Sequence, residues 1–133
     1  MDVERLEEGL WRWRPAPEVG CVYYQAPDAV VLFDPLLPPG DEEKFLAYLD
    51  RDVERHGLPV SILLTAPMNE RSTEFLRERY HAGDRVPDTV ESHPIEERTA
   101  YFVRPHRALV VAALEPWPDA ITQLPVELVL VSG

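Results

Sequence analysis

Residues 59–80 read PVSILLTAPMNERSTEFLRERY. Residues 60–65 are a short apolar run with a β-branched bias, the signature of a buried strand. Residues 66–71 form a turn: Pro67 cannot donate to a ladder, and Asn69 or Ser72 is suited to cap a helix behind it. Phe75, Leu76, Arg79 and Tyr80 recur at helical spacing, which predicts a helix over 72–80. A strand that delivers a polar turn into a helix is where open α/β folds place their chemistry.

Immediately upstream lies a matching unit. Residues 29–33, AVVLF, form a continuous apolar strand covered on both faces, and it ends in Asp34-Pro35. The Asp34 carboxylate at that strand end is expected to accept backbone N–H bonds and fix the loop over 35–40. Asp41 has N-cap chemistry, with Glu42 and Glu43 in the first turn where the helix dipole favours acids. Phe45, Leu46, Leu49 and Val53 make one apolar stripe, so 41–56 is an amphipathic helix. Gly57 closes it, and His56 in the last turn complements the dipole. Strand 29–33, this helix and strand 60–65 therefore form a β-α-β crossover with two parallel strands.

The flanks are β-rich. Residues 9–14, GLWRWR, alternate apolar and basic residues; Trp11 and Trp13 share one face and Arg12 and Arg14 the other. Such an alternation can stack bases, but the acidic chain favours a first strand with two buried tryptophans. A second strand spans 19–25. After the loop over 81–87 come a weak strand over 88–93 and a strong one over 98–103. The latter turns through 104–107 into 108–114 as a hairpin, and 126–131 is the last strand. Cys21, among apolar strand residues, reads as a core thiol.

The stretch Leu63-Leu64-Thr65 followed by Ala66-Pro67-Met68-Asn69-Glu70-Arg71 resembles the metallo-β-lactamase superfamily. There a strand ending Leu-Leu-Thr enters the metal motif H-x-H-x-D-H. Position by position, Ala66 and Met68 stand for the first two histidines, Glu70 for the aspartate and Arg71 for the last histidine. Asp34 matches the aspartate that, in the superfamily, sits beside the metals at a strand end. The hairpin's second strand, which in relatives ends in Gly-Asp, here ends in Ala112-Ala113. His93-Pro94 lies near the expected Gly-His but out of register, and the terminal Ser-His-Gly is reduced to Ser132-Gly133.

The resemblance implies a shortened metallo-β-lactamase-like αββα sandwich of class α/β (α+β), with mixed sheets and two main helices in a single domain over 1–133. It also implies a degenerate site region of Asp34, Ala66, Met68, Glu70, Arg71, His93 and Ala113. Zinc needs Cys, His, Asp or Glu donors, and alanine offers none; a thioether such as Met68 suits copper(I) better. Arg71 would put a fixed cation where a dication should sit, and it is expected to pair with Asp34 or Glu70. No cofactor is therefore expected. The alternative is a rearranged single Zn2+ site from Asp34, Glu70, His93 and His106 serving a hydrolase of esters, lactones, thioesters or phosphodiesters. The leading reading is a non-catalytic, metal-free protein with a binding or scaffold role, its small-molecule or protein ligand unidentified.

Composition bounds the rest. The chain has 133 residues, 45% of them hydrophobic, enough for one core. Its 14 prolines are spread out and punctuate short elements. A net charge of −11 opposes binding to nucleic acid, which needs basic contacts to phosphate. No apolar run nears the roughly 20 residues of a membrane span. The acidic N-terminus lacks the order of a signal peptide, and a single cysteine suits a reducing cytoplasm. The hairpin strands, read as one apolar face of Tyr101, Val103, Leu109 and Val111, predict a homodimer through 98–114 or 126–131, unless the Pro-rich segment 115–125 covers them.

Overall fold

The computed structural model describes residues 2–113, 117–123 and 126–131. Two β-sheets pack face to face. The first has five strands in sequence order: β1 (Asp2–Glu7), β2 (Leu10–Ala16), β3 (Val19–Gln25), β4 (Val30–Phe33) and β5 (Val60–Leu63). The second has four: β6 (Val90–Ile95), β7 (Arg98–Val103), β8 (Ala108–Ala112) and β9 (Glu127–Val131). Each sheet is antiparallel until its last pair, β4 with β5 and β8 with β9, which are parallel. Parallel neighbours need a crossover. The first sheet supplies it with α1 (Glu42–His56), the second with the single turn α3 (Asp119–Thr122). Helix α2 (Thr73–Tyr80) follows β5. The result is the expected αββα sandwich with two main helices, its second helical layer cut to one turn.

Three apolar layers hold it. Leu10, Val22, Tyr24, Val31 and Phe33 meet Tyr101, Val103, Val110, Val129 and Val131 between the sheets. Trp13, Tyr23, Leu32 and Ile62 meet Leu46 and Leu49 of α1 and Leu76 of α2 on the helical side. Ala100, Leu109 and Val111 lie on the outer side of the second sheet, under Phe102, Trp117, Ile121 and Val126.

Three readings need correction. The acidic segment Asp2–Glu7 is a strand, pairing Val3 with Trp13 and Arg5 with Trp11. Its exposed edge position lets charged residues occupy it without alternation. Second, Tyr101, Val103, Leu109 and Val111 do not share a face. The register pairs Tyr101 with Val110 and Phe102 with Leu109, so Tyr101 and Val103 point into the sandwich, Leu109 and Val111 out of it. Trp117 and Ile121, from the chain's own Pro-rich segment, pack on that outer face; residues 114–116, 124, 125, 132 and 133 lie outside the described residues. Third, the expected N-caps do not use their side chains. Asp41 accepts from the Phe45 N–H through its main-chain oxygen alone. The Ser72 hydroxyl instead accepts the Leu37 N–H at 3.0 Å, and Asn69 is committed elsewhere. Gly57 does close α1, at φ +62°, its N–H bonding Val53 O at 3.1 Å.

Candidate functional site

The first crossover places Asp34 at the exit end of β4, and Ala66 and Arg71 in the turn that leaves β5. Asp34 is fully buried and its backbone is left-handed, φ +49°. Its carboxylate accepts the Thr65 N–H at 2.8 Å, the Thr65 hydroxyl, and Asn69 Nδ2 at 3.0 Å. So it clamps the loop after β5, and not its own loop as expected. Burial pushes the Asp34 carboxyl above its ordinary value, while Thr65, Asn69 and the charge of Arg71 pull the other way.

Arg71, also left-handed at φ +49°, turns its guanidinium back into this corner. Nη1 donates to Asp34 O at 2.8 Å and to Gly20 O at 2.9 Å, and reaches Cys21 Sγ at 3.5 Å. The expected partner, Asp34, is thus met through its carbonyl, because Thr65 and Asn69 hold the carboxylate. Burial pushes the free Cys21 thiol up to about 12, which keeps it protonated and unreactive.

The second sheet joins the same corner. Thr99 N–H bonds Thr65 O at 2.9 Å, and the Tyr101 hydroxyl donates to Leu64 O at 3.1 Å. Ala113 N–H bonds Val131 O at 3.1 Å, beside the Leu130 carbonyl that lies against Gly20. A Cβ on Gly20 would fall 2.9 Å from that carbonyl, so only glycine fits. Asp34, Ala66, Arg71 and Ala113 are therefore gathered where the strands of both sheets end.

The remaining candidates are elsewhere. Met68 is 68% exposed and Glu70 is exposed. His93 sits on the edge strand β6, half exposed, 3.5 Å from Glu91. His106 bonds Glu7 at 2.7 Å and stacks edge-on against Tyr24. The alternative ligand set of Asp34, Glu70, His93 and His106 is not brought together. Among the described residues no three His, Cys, Asp or Glu side chains are placed to hold a metal. The corner does not fit zinc: its one carboxylate is engaged by three protein donors, no ligand set of His, Cys, Asp or Glu is completed around it among the described residues, and a guanidinium bound to carbonyls takes the adjoining space.

Sequence reasoning missed Asn69, Thr65 and Gly20. Asn69 invited a capping role, and only the buried carboxylate one strand away reveals its use. Gly20 owes its identity to a strand 110 positions along the chain, which no local pattern signals.

The strand order, the paired crossovers and the corner at their ends define a metallo-β-lactamase-like fold. Among solved structures, a crystal structure of VMB-1 superposes with a TM-score of 0.60 at 7% identity, over 99% of this chain and 88% of that one. The metallo-β-lactamase DIM-1, exposed to ceftazidime, gives 0.59 at 8% identity, over 84% and 68%. At such identities the likeness concerns the fold alone. No family model and no curated protein matches the sequence. Among the described residues no helix is long and apolar enough to cross a membrane.

Proposed function

We propose that this chain is a metal-free, non-catalytic protein of the metallo-β-lactamase-like fold, with a binding or scaffold role in a reducing compartment. One observation carries the reading: the corner that would hold metal is closed on itself by the Asp34, Thr65 and Asn69 bonds and by Arg71 on two carbonyls. A hydrolytic centre needs an open coordination position and a water; here the one carboxylate is engaged by Thr65 and Asn69, and the Arg71 cation occupies the space beside it.

The test is elemental analysis of protein purified without chelator, followed by calorimetric zinc titration and assays on ester, lactone, thioester and phosphodiester substrates. Well under one zinc, iron or manganese per chain, with no chelator-sensitive turnover, is expected. One equivalent of metal, lost together with activity on Glu70→Ala or His93→Ala, would establish the rearranged hydrolase instead.

The proposal includes a two-fold homodimer. Leu128 and Leu130, 37% and 48% exposed on β9, stand beside the partial cover of Trp117 and Ile121. A second copy would complete that cover. Light scattering at tens of micromolar should give twice the chain mass; a monomer there removes the dimer from the reading.

A further inference from the structure

The helical side of the first sheet carries an aromatic cleft that the corner at the strand ends does not use. Helix α1 packs over β3, β4 and β5 and reaches β2 where Phe45 meets Trp13. The cleft, a cavity of about 240 Å3, lies between β2, β3 and α1. Trp11, Trp13 and Tyr23 form its floor, and Phe45, Tyr48 and Asp52, on one face of α1, form its wall. The register sets Trp11 beside Tyr23, their rings 5.4 Å apart and nearly perpendicular; Trp13 and Phe45 are 5.2 Å apart and tilted. Tyr48 is 58% exposed at the mouth.

The chemistry of this lining is selective. Aromatic faces carry negative quadrupole potential and attract cations, most strongly when the cation is poorly hydrated. Tyr48 at the mouth already attracts a cation: the exposed Arg51 guanidinium, outside the lining, lies 5.7 Å from its ring centre. The Trp13 indole N–H is turned away to Leu36 O at 3.1 Å, so it offers a ligand a ring and no donor. Among the described residues Asp52 is the one charged group of the lining, held by Arg55 in a surface pair that costs little to exchange. The chain's charge of −11 repels anions and attracts cations. The volume falls below the roughly 300 Å3 at which pockets for drug-sized ligands begin, so it suits a head group and not an extended molecule.

We infer that this cleft is a binding site for a small free quaternary ammonium compound, its alkylated nitrogen boxed by Trp11, Trp13, Tyr23, Phe45 and Tyr48 and balanced by Asp52. The inference is independent of whether the strand-end corner holds metal.

The experiment titrates the full-length chain with choline chloride and, separately, with the uncharged isostere 3,3-dimethylbutan-1-ol. Ionic strength is matched with sodium chloride, and the three indole N–H signals are followed by NMR. Choline should bind saturably, shifting the Trp11 and Trp13 signals and leaving Trp117 unmoved. The isostere should bind roughly tenfold more weakly, the factor that about 1.4 kcal/mol of cation attraction supplies. Tyr48→Leu and Asp52→Asn, both at solvent-accessible positions and expected to fold, should each weaken choline several-fold. Equal binding of choline and the isostere would overturn the inference, as would an absence of saturation or affinity untouched by Tyr48→Leu. A trimethyl-lysine peptide binding more tightly than choline would overturn it in favour of a protein partner.

Discussion

The crossovers β4–α1–β5 and β8–α3–β9 run through the same topology with different means. Each leaves an antiparallel pair, passes over an outer face and returns parallel to its own first strand. The first is covered by a helix of 15 residues that buries Leu46 and Leu49, with Leu76 of α2 alongside. The second is covered by a four-residue helix and by Trp117, which is pinned from two sides. Its indole donates to Ala112 O at 2.7 Å, and the Arg98 guanidinium stacks 4.2 Å above its ring. At both strand ends a carbonyl is capped by a side-chain donor, Arg71 on Asp34 and Trp117 on Ala112. The sandwich needs cover on each outer face and satisfied carbonyls at each strand end. A long helix and a single large ring meet those needs unequally.

The sharpest way to break the comparison is at the first strand end. Arg71→Ala removes a charged donor from two carbonyls and leaves the Asp34 carboxylate without its nearby cation. Hydrogen bonds from charged groups are worth about 1.5–3 kcal/mol each, so a loss of about 4 kcal/mol is expected. That corresponds to a melting temperature lowered by on the order of 10 °C or more. An unchanged melting temperature in calorimetry would show that Arg71 only decorates the corner.

Next come the covers themselves. Leu76 is fully buried and Ile121 only partly so. Leu76→Ala should cost about 3 kcal/mol by cavity formation, and Ile121→Ala about 1 kcal/mol because water already reaches it. Equilibrium urea unfolding of the two variants measures the asymmetry directly. Equal costs would mean that the short crossover packs as well as the long one.

A smaller effect tests how the halves meet. Gly20 is where β3 touches β9. The Cβ of Gly20→Ala would strike the Leu130 carbonyl, which is backbone and cannot rotate away. About 2 kcal/mol is expected, typical of an overpacked site. Hydrogen exchange should rise first at Val129 and Val131. Protection lost evenly over both sheets would argue that they yield as one unit.

The first crossover was legible in the sequence because every signal in it is local. The apolar run before Asp34, the stripe of α1, Gly57 at its end and the Leu-Leu-Thr strand exit all lie within a few residues of what they specify. The second crossover was legible only as strands. Whether Leu109 faces in or out depends on a register set by its partner Phe102, and a one-residue slip reverses the face. The edge strand β1 escaped because charged edge residues erase the alternation that marks a strand. At the corner, the residue types gave away what was lost, alanines and an arginine in place of ligands. The bonds that took over, Asn69 to Asp34 and Arg71 to Gly20, span 35 and 51 positions and leave no trace in either neighbourhood.

The smallest expected effect separates Asp34 from an ordinary surface acid by the sign of its pH dependence. Its carboxyl is raised above 3.8 by burial in the folded chain. The folded state therefore holds the proton at pH values where the unfolded state has released it. Its contribution to stability is complete below 3.8 and lost as pH rises through the raised folded value. Asp50, held down by Arg79 and Tyr80, behaves oppositely: its contribution is present above 3.8 and lost as pH falls through the lowered folded value. The two windows lie on opposite sides of 3.8, so a stability profile resolves them. Asp34→Asn removes the first window alone. Asn69 Oδ1 is buried without a partner; an amide flip of Asn69 would let that oxygen accept from the new amide, the Thr65 N–H keeps the side-chain oxygen as its acceptor, and the Thr65 hydroxyl turns to accept from the amide and no longer donates to it. The variant should accordingly stay within about 1 kcal/mol of the parent at neutral pH, and its stability should no longer fall as pH rises above 3.8. Urea unfolding across that range decides it: a decline as steep in Asp34→Asn as in the parent would mean that some other buried group, and not the strand-end carboxyl, carries the proton.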